Sequence, residues 1–167
     1  MTTQPAIAGH APIRELVGAY LGADYRWQHG GDWHDLHVGL PAPALELLHP
    51  DLDTFGLLSA WNPHSVEQTE LANRTADRML HEALAATGLP FCAAFASAPN
   101  RSWREPSWVV MGFSVAHFDA LSRKYGQLGT LWWTRGKPVR LRVDAARPED
   151  AGNEEYVDWL RPLLHPT

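Results

Sequence analysis

The sequence predicts an α+β domain, with helices packed on one face of a mostly antiparallel sheet. Three observations carry this. Residues 55–143 read in the order strand, helix, strand, strand, helix, strand, the split β-α-β-β-α-β order of ferredoxin-like folds. Two helices are each bounded by a capping residue and a terminal glycine. A Gly-Gly pair lies between two apolar runs near the start, which predicts an N-terminal hairpin extending the sheet.

Residues 1–11 read as a loose, flexible leader. Ile13, Leu16, Val17, Tyr20 and Leu21 fall at helical spacing. Tyr25-Arg26-Trp27 and Asp35-Leu36-His37-Val38 flank His29-Gly30-Gly31-Asp32, the hairpin signal. Pro41 to Leu48 reads as a short helix stopped by Pro50. Phe55 to Trp61 is predicted as a buried strand ending at Asn62-Pro63, because the residue before proline resists helical geometry. Ser65 and Gln68 make a capping box, predicting a helix from about Val66 to Thr87 with Ala72, Ala76, Met79, Leu80 and Ala83 on its apolar face. Gly88 stops it.

Phe91 to Ala98 and Trp108 to Phe113 read as strands joined by a polar loop, Pro99 to Pro106. Ser114 caps a second helix with the stripe Phe118, Leu121 and Tyr125, which ends at Gly126. Leu131 to Trp133 and Val139 to Val143 are strands around the turn Arg135-Gly136-Lys137. Of the adjacent Trp132 and Trp133, one should face the core and the other should lie under the C-terminal segment. Residues 12–144 thus read as a single domain. In the acidic segment 145–167, Tyr156, Trp159 and Leu160 predict a short helix packed on its surface.

Composition limits the function. With 14 Lys and Arg against 19 Asp and Glu, the net charge is −5, and the chain lacks the positive surface that a nucleic-acid backbone needs. The single cysteine, Cys92, excludes an internal disulfide and a multi-cysteine zinc site, and fits a reducing, cytoplasmic compartment. Met1 to Leu16 holds no long apolar run, so neither a signal segment nor a membrane partner is expected. His34 and His37 point to opposite faces of an extended strand, and with His29 they make no metal site. No metal or cofactor is called for.

The topology makes a geometric prediction. Asn62 ends the first core strand, the 99–106 loop follows the second, and Gly126-Gln127 precedes the last, all at one rim of the sheet. Asn62, Ser65, Asn73, Arg101, Trp103, Ser107 and Gln127 are therefore expected to bind a ligand. Arg101 and the helix start near Ser65 would hold negative charge. Glu105, desolvated by Trp103 and Trp108, and His64 at the helix start are the candidate catalytic acid and base. Asn73, beside the apolar stripe, either ties its helix to the Asn62 turn or reaches the ligand. No nucleophile-base-orienter set is visible, so whether chemistry follows binding is open.

The runs Ser59-Ala60-Trp61-Asn62-Pro63-His64-Ser65, Asn73-Arg74, Trp103-Arg104-Glu105-Pro106-Ser107 and Arg123-Lys124-Tyr125-Gly126-Gln127, in this order, resemble the bacterial "domain of unknown function 3293" family. The likeness spans roughly residues 20–143 and includes Leu36-His37-Val38-Gly39. Where the family more usually has two acidic residues before the serine, this chain has Glu105-Pro106, so a second carboxylate is not carried over. Tyr125 stands where a phenylalanine is more usual. The resemblance implies no reaction, substrate or cofactor. The leading expectation is a domain that binds a small anionic or nucleotide-like molecule. The alternative is a non-catalytic protein-interaction module using exposed tryptophans and the acidic tail, or a homodimer paired through open strand edges. One concave pocket around Asn62, Glu105 and Gln127 would favour the ligand; a flat exposed patch would favour the partner.

Overall fold

The computed structural model describes residues 12–163, and these form four α-helices and eight strands. The expected leader, 1–11, lies outside the described residues. Helix α1 (Ile13–Gly22) leads into β1 (Asp24–His29) and β2 (Asp32–Leu36). The turn between these strands is made by Gly30 and Gly31 at φ +60° and +83°, the left-handed geometry that a two-residue hairpin needs. Next come α2 (Pro43–Leu48), β3 (Thr54–Leu58), α3 (Glu70–Ala86), β4 (Phe91–Ser97), β5 (Arg104–Met111), α4 (Val115–Lys124) and β6 (Gly129–Thr134). β7 (Arg140–Ala146) and β8 (Val157–Arg161) complete one sheet of order β2-β1-β4-β5-β3-β6-β7-β8. Every neighbouring pair is antiparallel except β7 and β8. The fold is α+β, and its sheet is wider than a four-stranded core: the hairpin extends it past β4, and β7 with β8 past β6.

Helices cover both faces of the sheet, not one. Phe55 and Leu57 of β3 join a core with Val109, Leu131 and Leu141, which is closed by Val17 of α1 and Leu45 of α2. Leu58 and Ala60 point the other way, to Val110, Leu80 and Leu84 of α3 and Phe118 of α4. This explains why β3 reads as an unbroken apolar run: a strand covered on both faces has no solvent side to keep polar. Gly56 within it gives room to Phe118, whose ring would lie 2.5 Å from an added Cβ. Trp133 is fully buried on the α1 side, while Trp132 packs on Phe118 at 4.9 Å. The second tryptophan is thus covered by α4 rather than by the C-terminal segment.

Three further expectations shift. The capping box at Ser65 does not form, and α3 begins at Glu70, where Thr69 accepts a bond from the Ala72 N–H at 3.2 Å. With that start the buried face is Asn73, Leu80 and Leu84, flanked by Ala76 and Ala83, and Ala72 and Met79 are exposed. β5 starts at Arg104, so Arg104, Glu105 and Pro106 belong to a strand and not to the loop. Tyr156, Trp159 and Leu160 do not lie in a helix: residues 157–161 form β8, parallel to β7 with Leu141 opposite Val157 and Val143 opposite Trp159. A helix this short has no stability of its own, whereas the open edge of β7 offers a hydrogen-bonding partner. Asp158 on Arg140 and Asp144 on Arg161 add cross-strand ion pairs.

Candidate functional site

The polar residues meet where β3, the β4–β5 connection and the α4–β6 connection end together. They line a cavity of about 570 Å³, within the range usual for small-molecule sites. Asn62, Ser65 and Asn73 reach it from the stretch after β3, Trp103 and Glu105 from the start of β5, and Gln127 from the turn before β6. Leu16, Ala19 and Tyr20 of α1 form a wall that sequence reasoning did not assign. Gly129 occupies a place where an added Cβ would stand 2.8 Å from the Tyr20 ring, so only glycine lets α1 lie this close.

Asn62 organises the rim. It sits at φ +47°, with His64 at +59° and Ser65 at +57°, three left-handed non-glycine residues in four positions. Each such conformation costs on the order of 1–3 kcal/mol and must be held by its surroundings. The holding groups are visible. Asn73, 3% exposed, accepts from the Asn62 N–H at 2.9 Å and donates through Nδ2 to Asn62 Oδ1 at 2.9 Å. Asn62 Oδ1 also accepts from the Gln68 N–H at 2.9 Å. The His64 N–H donates to the Gly126 carbonyl at 2.7 Å, and Gly126, at φ +65°, would bring an added Cβ within 2.8 Å of Pro63 Cβ. Asn73 is therefore the tie between α3 and the turn, and both ends of its amide are spent on it.

The same turn aims a donor at the carboxylate: Asn62 Nδ2 bonds Glu105 Oε1 at 2.9 Å. Burial raises the Glu105 pKa above the ordinary carboxylate range, and the Asn62 bond opposes this only in part. Tyr20 and Tyr25 are raised as well, by burial first, and in each case the charge of Glu105 adds to the effect. The Tyr20 hydroxyl meets Ser65 Oγ, and Tyr25 donates to the Tyr20 carbonyl at 2.5 Å. Ser65 thus contacts α1 instead of capping a helix.

Gln127 is 8% exposed, and its Nε2 donates to the carbonyls of Trp61 at 3.1 Å and Tyr125 at 3.2 Å. Two carbonyl partners fix the amide orientation, because only the NH₂ end can satisfy both. Its Oε1 then accepts from no described residue. Glu105 Oε2 is likewise without a donor among them. Ser107, 3% exposed, donates to the Glu105 carbonyl at 3.1 Å and lines a smaller space of about 40 Å³, which shares Tyr20, Trp103, Glu105, Gln127 and Gly129 with the lining of the main cavity.

Two expected groups stand elsewhere. Arg101, at φ +58°, is exposed at the β4–β5 hairpin tip and does not line the cavity. His64 is exposed, with its ring against Gly126, and is likewise not part of the lining. The later start of α3 also removes the helix terminus expected at Ser65. Arg104 does line the cavity, but its guanidinium lies 4.0 Å over the Phe95 ring. Cys92 is half-buried, and burial pushes its thiol up to about 11, as fits a core residue.

Residues 58–129 match the model of the family described as "Protein of unknown function (DUF3293)". Over that stretch, which holds Asn62, Asn73, Glu105 and Gln127, the resemblance carried by the motifs is borne out. No curated protein and no solved structure matches the chain.

Proposed function

We propose that this chain binds a small polar molecule in the cavity between α1, the Asn62 turn and the start of β5, with Glu105 as the central recognition group. The observation that carries the reading is the meeting of Asn62, Glu105 and Gln127, from three distant segments, around one concave space. There the Glu105 carboxyl is held by one donor, and the second oxygen has none among the described residues. The strained turn that presents Asn62 supports the same reading, since such backbone persists only where the surroundings insist on it. A concave site walled by half-buried Trp61 and Trp103 favours a ligand over a protein partner. The reading stops at binding, because the expected base, His64, stands outside the cavity. The strand order β4-β5-β3-β6, antiparallel throughout, supports taking these strands with α3 and α4 as a ferredoxin-like unit. A bacterial, cytoplasmic setting is proposed on the family motifs and the lone Cys92.

A thermal-shift screen of metabolites tests it, since a ligand at 100 times its Kd adds about 2.7 kcal/mol of stability. Glu105→Ala and Trp103→Ala should each abolish the shift of any hit while the protein still melts cooperatively. Full retention of the shift in both variants would place the ligand elsewhere.

A further inference from the structure

The charge and hydrogen-bonding capacity of the cavity narrow the class of ligand, and this step rests on the binding reading above. The charged side chains lining it are Glu67, Glu70, Glu105 and Arg104. Arg104 is drawn away: Ala94 and Ala96 of β4 face the α1 side of the sheet, Phe95 between them faces the other, and the guanidinium sits on Phe95 and within 5.9 Å of Trp33. Glu70 is taken up by Arg74 at 2.5 Å. Glu67 and Glu105 make no ion pair among the described residues. Of the groups expected to hold an anion, Arg101 is not in the lining, and α3 starts at Glu70 rather than at Ser65, with one of its first N–H groups bonded to the Thr69 cap.

The free hydrogen-bonding capacity among the lining residues includes two acceptors beside one buried donor with no partner among the described residues, the Trp61 indole N–H. Gln127 is more than nine-tenths buried, its NH₂ is consumed by two carbonyls, and its Oε1 is left as an acceptor at the cavity. Glu105 Oε2 is a second acceptor. A buried carboxylate without a counter-charge is costly, and a cation that brings N–H donors removes the cost. Trp61, Trp103 and Tyr20 are among the lining residues, and aromatic rings attract cations through their quadrupoles.

We infer that the ligand carries a protonated nitrogen group, an amine, amidine or guanidine, which donates to Glu105 Oε2 and Gln127 Oε1 between the aromatic walls. An isosteric charge series tests this with the full chain: benzamidine, benzamide and benzoate by calorimetry, with agmatine as a second cation. Indole N–H signals of Trp61 and Trp103 report where each binds. Benzamidine or agmatine should bind at least tenfold more tightly than benzamide and benzoate, with both indole signals moving. Glu105→Gln keeps the shape and the Asn62 bond, and it should erase that preference.

Equal or tighter binding of benzamide or benzoate at the same indoles overturns the charge class and leaves the binding site standing. Failure of both cations to move the indoles overturns it too, while the metabolite screen still decides the binding reading separately. A cation preference that survives unchanged in Glu105→Gln overturns the assigned contact.

Discussion

A carboxyl group that would ionise freely in water is kept at Glu105 in surroundings that resist its charge, so the folded protein holds that proton more tightly than the unfolded chain does. Where the folded state binds more protons, stability falls as pH rises. The fall starts at about pH 4, near the ordinary glutamate value, and ends once the folded carboxyl has also ionised. The groups facing it are Tyr20 and Tyr25, which stay neutral in this range, the amide of Asn62, and Glu67, Glu70 and Arg104 around the cavity. Glu105→Gln should therefore stabilise the protein at neutral pH, by a margin that grows from pH 4 upward and then levels. Urea unfolding in steps from pH 4 to 8 checks this; a margin that is flat across the range would show that ionisation of this group costs the fold nothing. At this scale much was legible in the sequence. Asn62, Glu105 and Gln127 are identified by chain path alone, since strand and helix directions put three connections at one rim. The exclusion of Arg101 and His64 was not legible. It depends on where individual side chains turn at left-handed residues, which a spacing pattern does not encode.

Among the elements, the start of α3 shows how two equivalent local signals compete. Ser65 with Gln68 satisfies the capping pattern, yet Asn62 Oδ1 claims the Gln68 N–H at 2.9 Å and Ser65 is drawn to Tyr20. Thr69 then becomes the cap, supplied with Glu70 in the first turn to complement the helix dipole. Thr69→Ala should cost about 1 kcal/mol of stability through the lost cap. Ser65→Ala should leave the first turn of α3 as protected in amide exchange as in the wild type. Loss of protection there in Ser65→Ala, with Thr69→Ala silent, would put the helix start where the capping box had it. The C-terminal strand was misread for a related reason. Tyr156, Trp159 and Leu160 match a helical spacing, Val157 and Trp159 match an extended one, and five residues are too few to decide. The free edge of β7, outside the five-residue window, decides it. Helices with unambiguous bounds, such as α4 between Ser114 and Gly126, were legible because cap and stop agree with the apolar stripe.

For the molecule as a whole, the sheet joins pairs of consecutive strands through pairings between distant parts of the chain, β1 with β4 and β3 with β5 and β6, and its last strand shields the preceding one. Val157, 8% exposed, faces the same core as Leu141. The Leu141 N–H bonds the Tyr156 carbonyl at 2.8 Å. Val157→Asp should release β8, and hydrogen exchange should then quicken at Leu141 and Val143 while β3 and β5 keep their protection. Uniform quickening over all strands would mean that β8 belongs to one cooperative unit with the rest. The position of α1 carries a consequence for biosynthesis. This helix precedes β7 by more than a hundred residues of chain, yet it rests against that strand, and Arg14 pairs with Asp150 at 2.6 Å. During translation its contacts with β7 cannot form until more than a hundred further residues have left the ribosome. The wall bearing Tyr20 is thus completed late, and a chain stalled before β7 would emerge with its cavity open on one side.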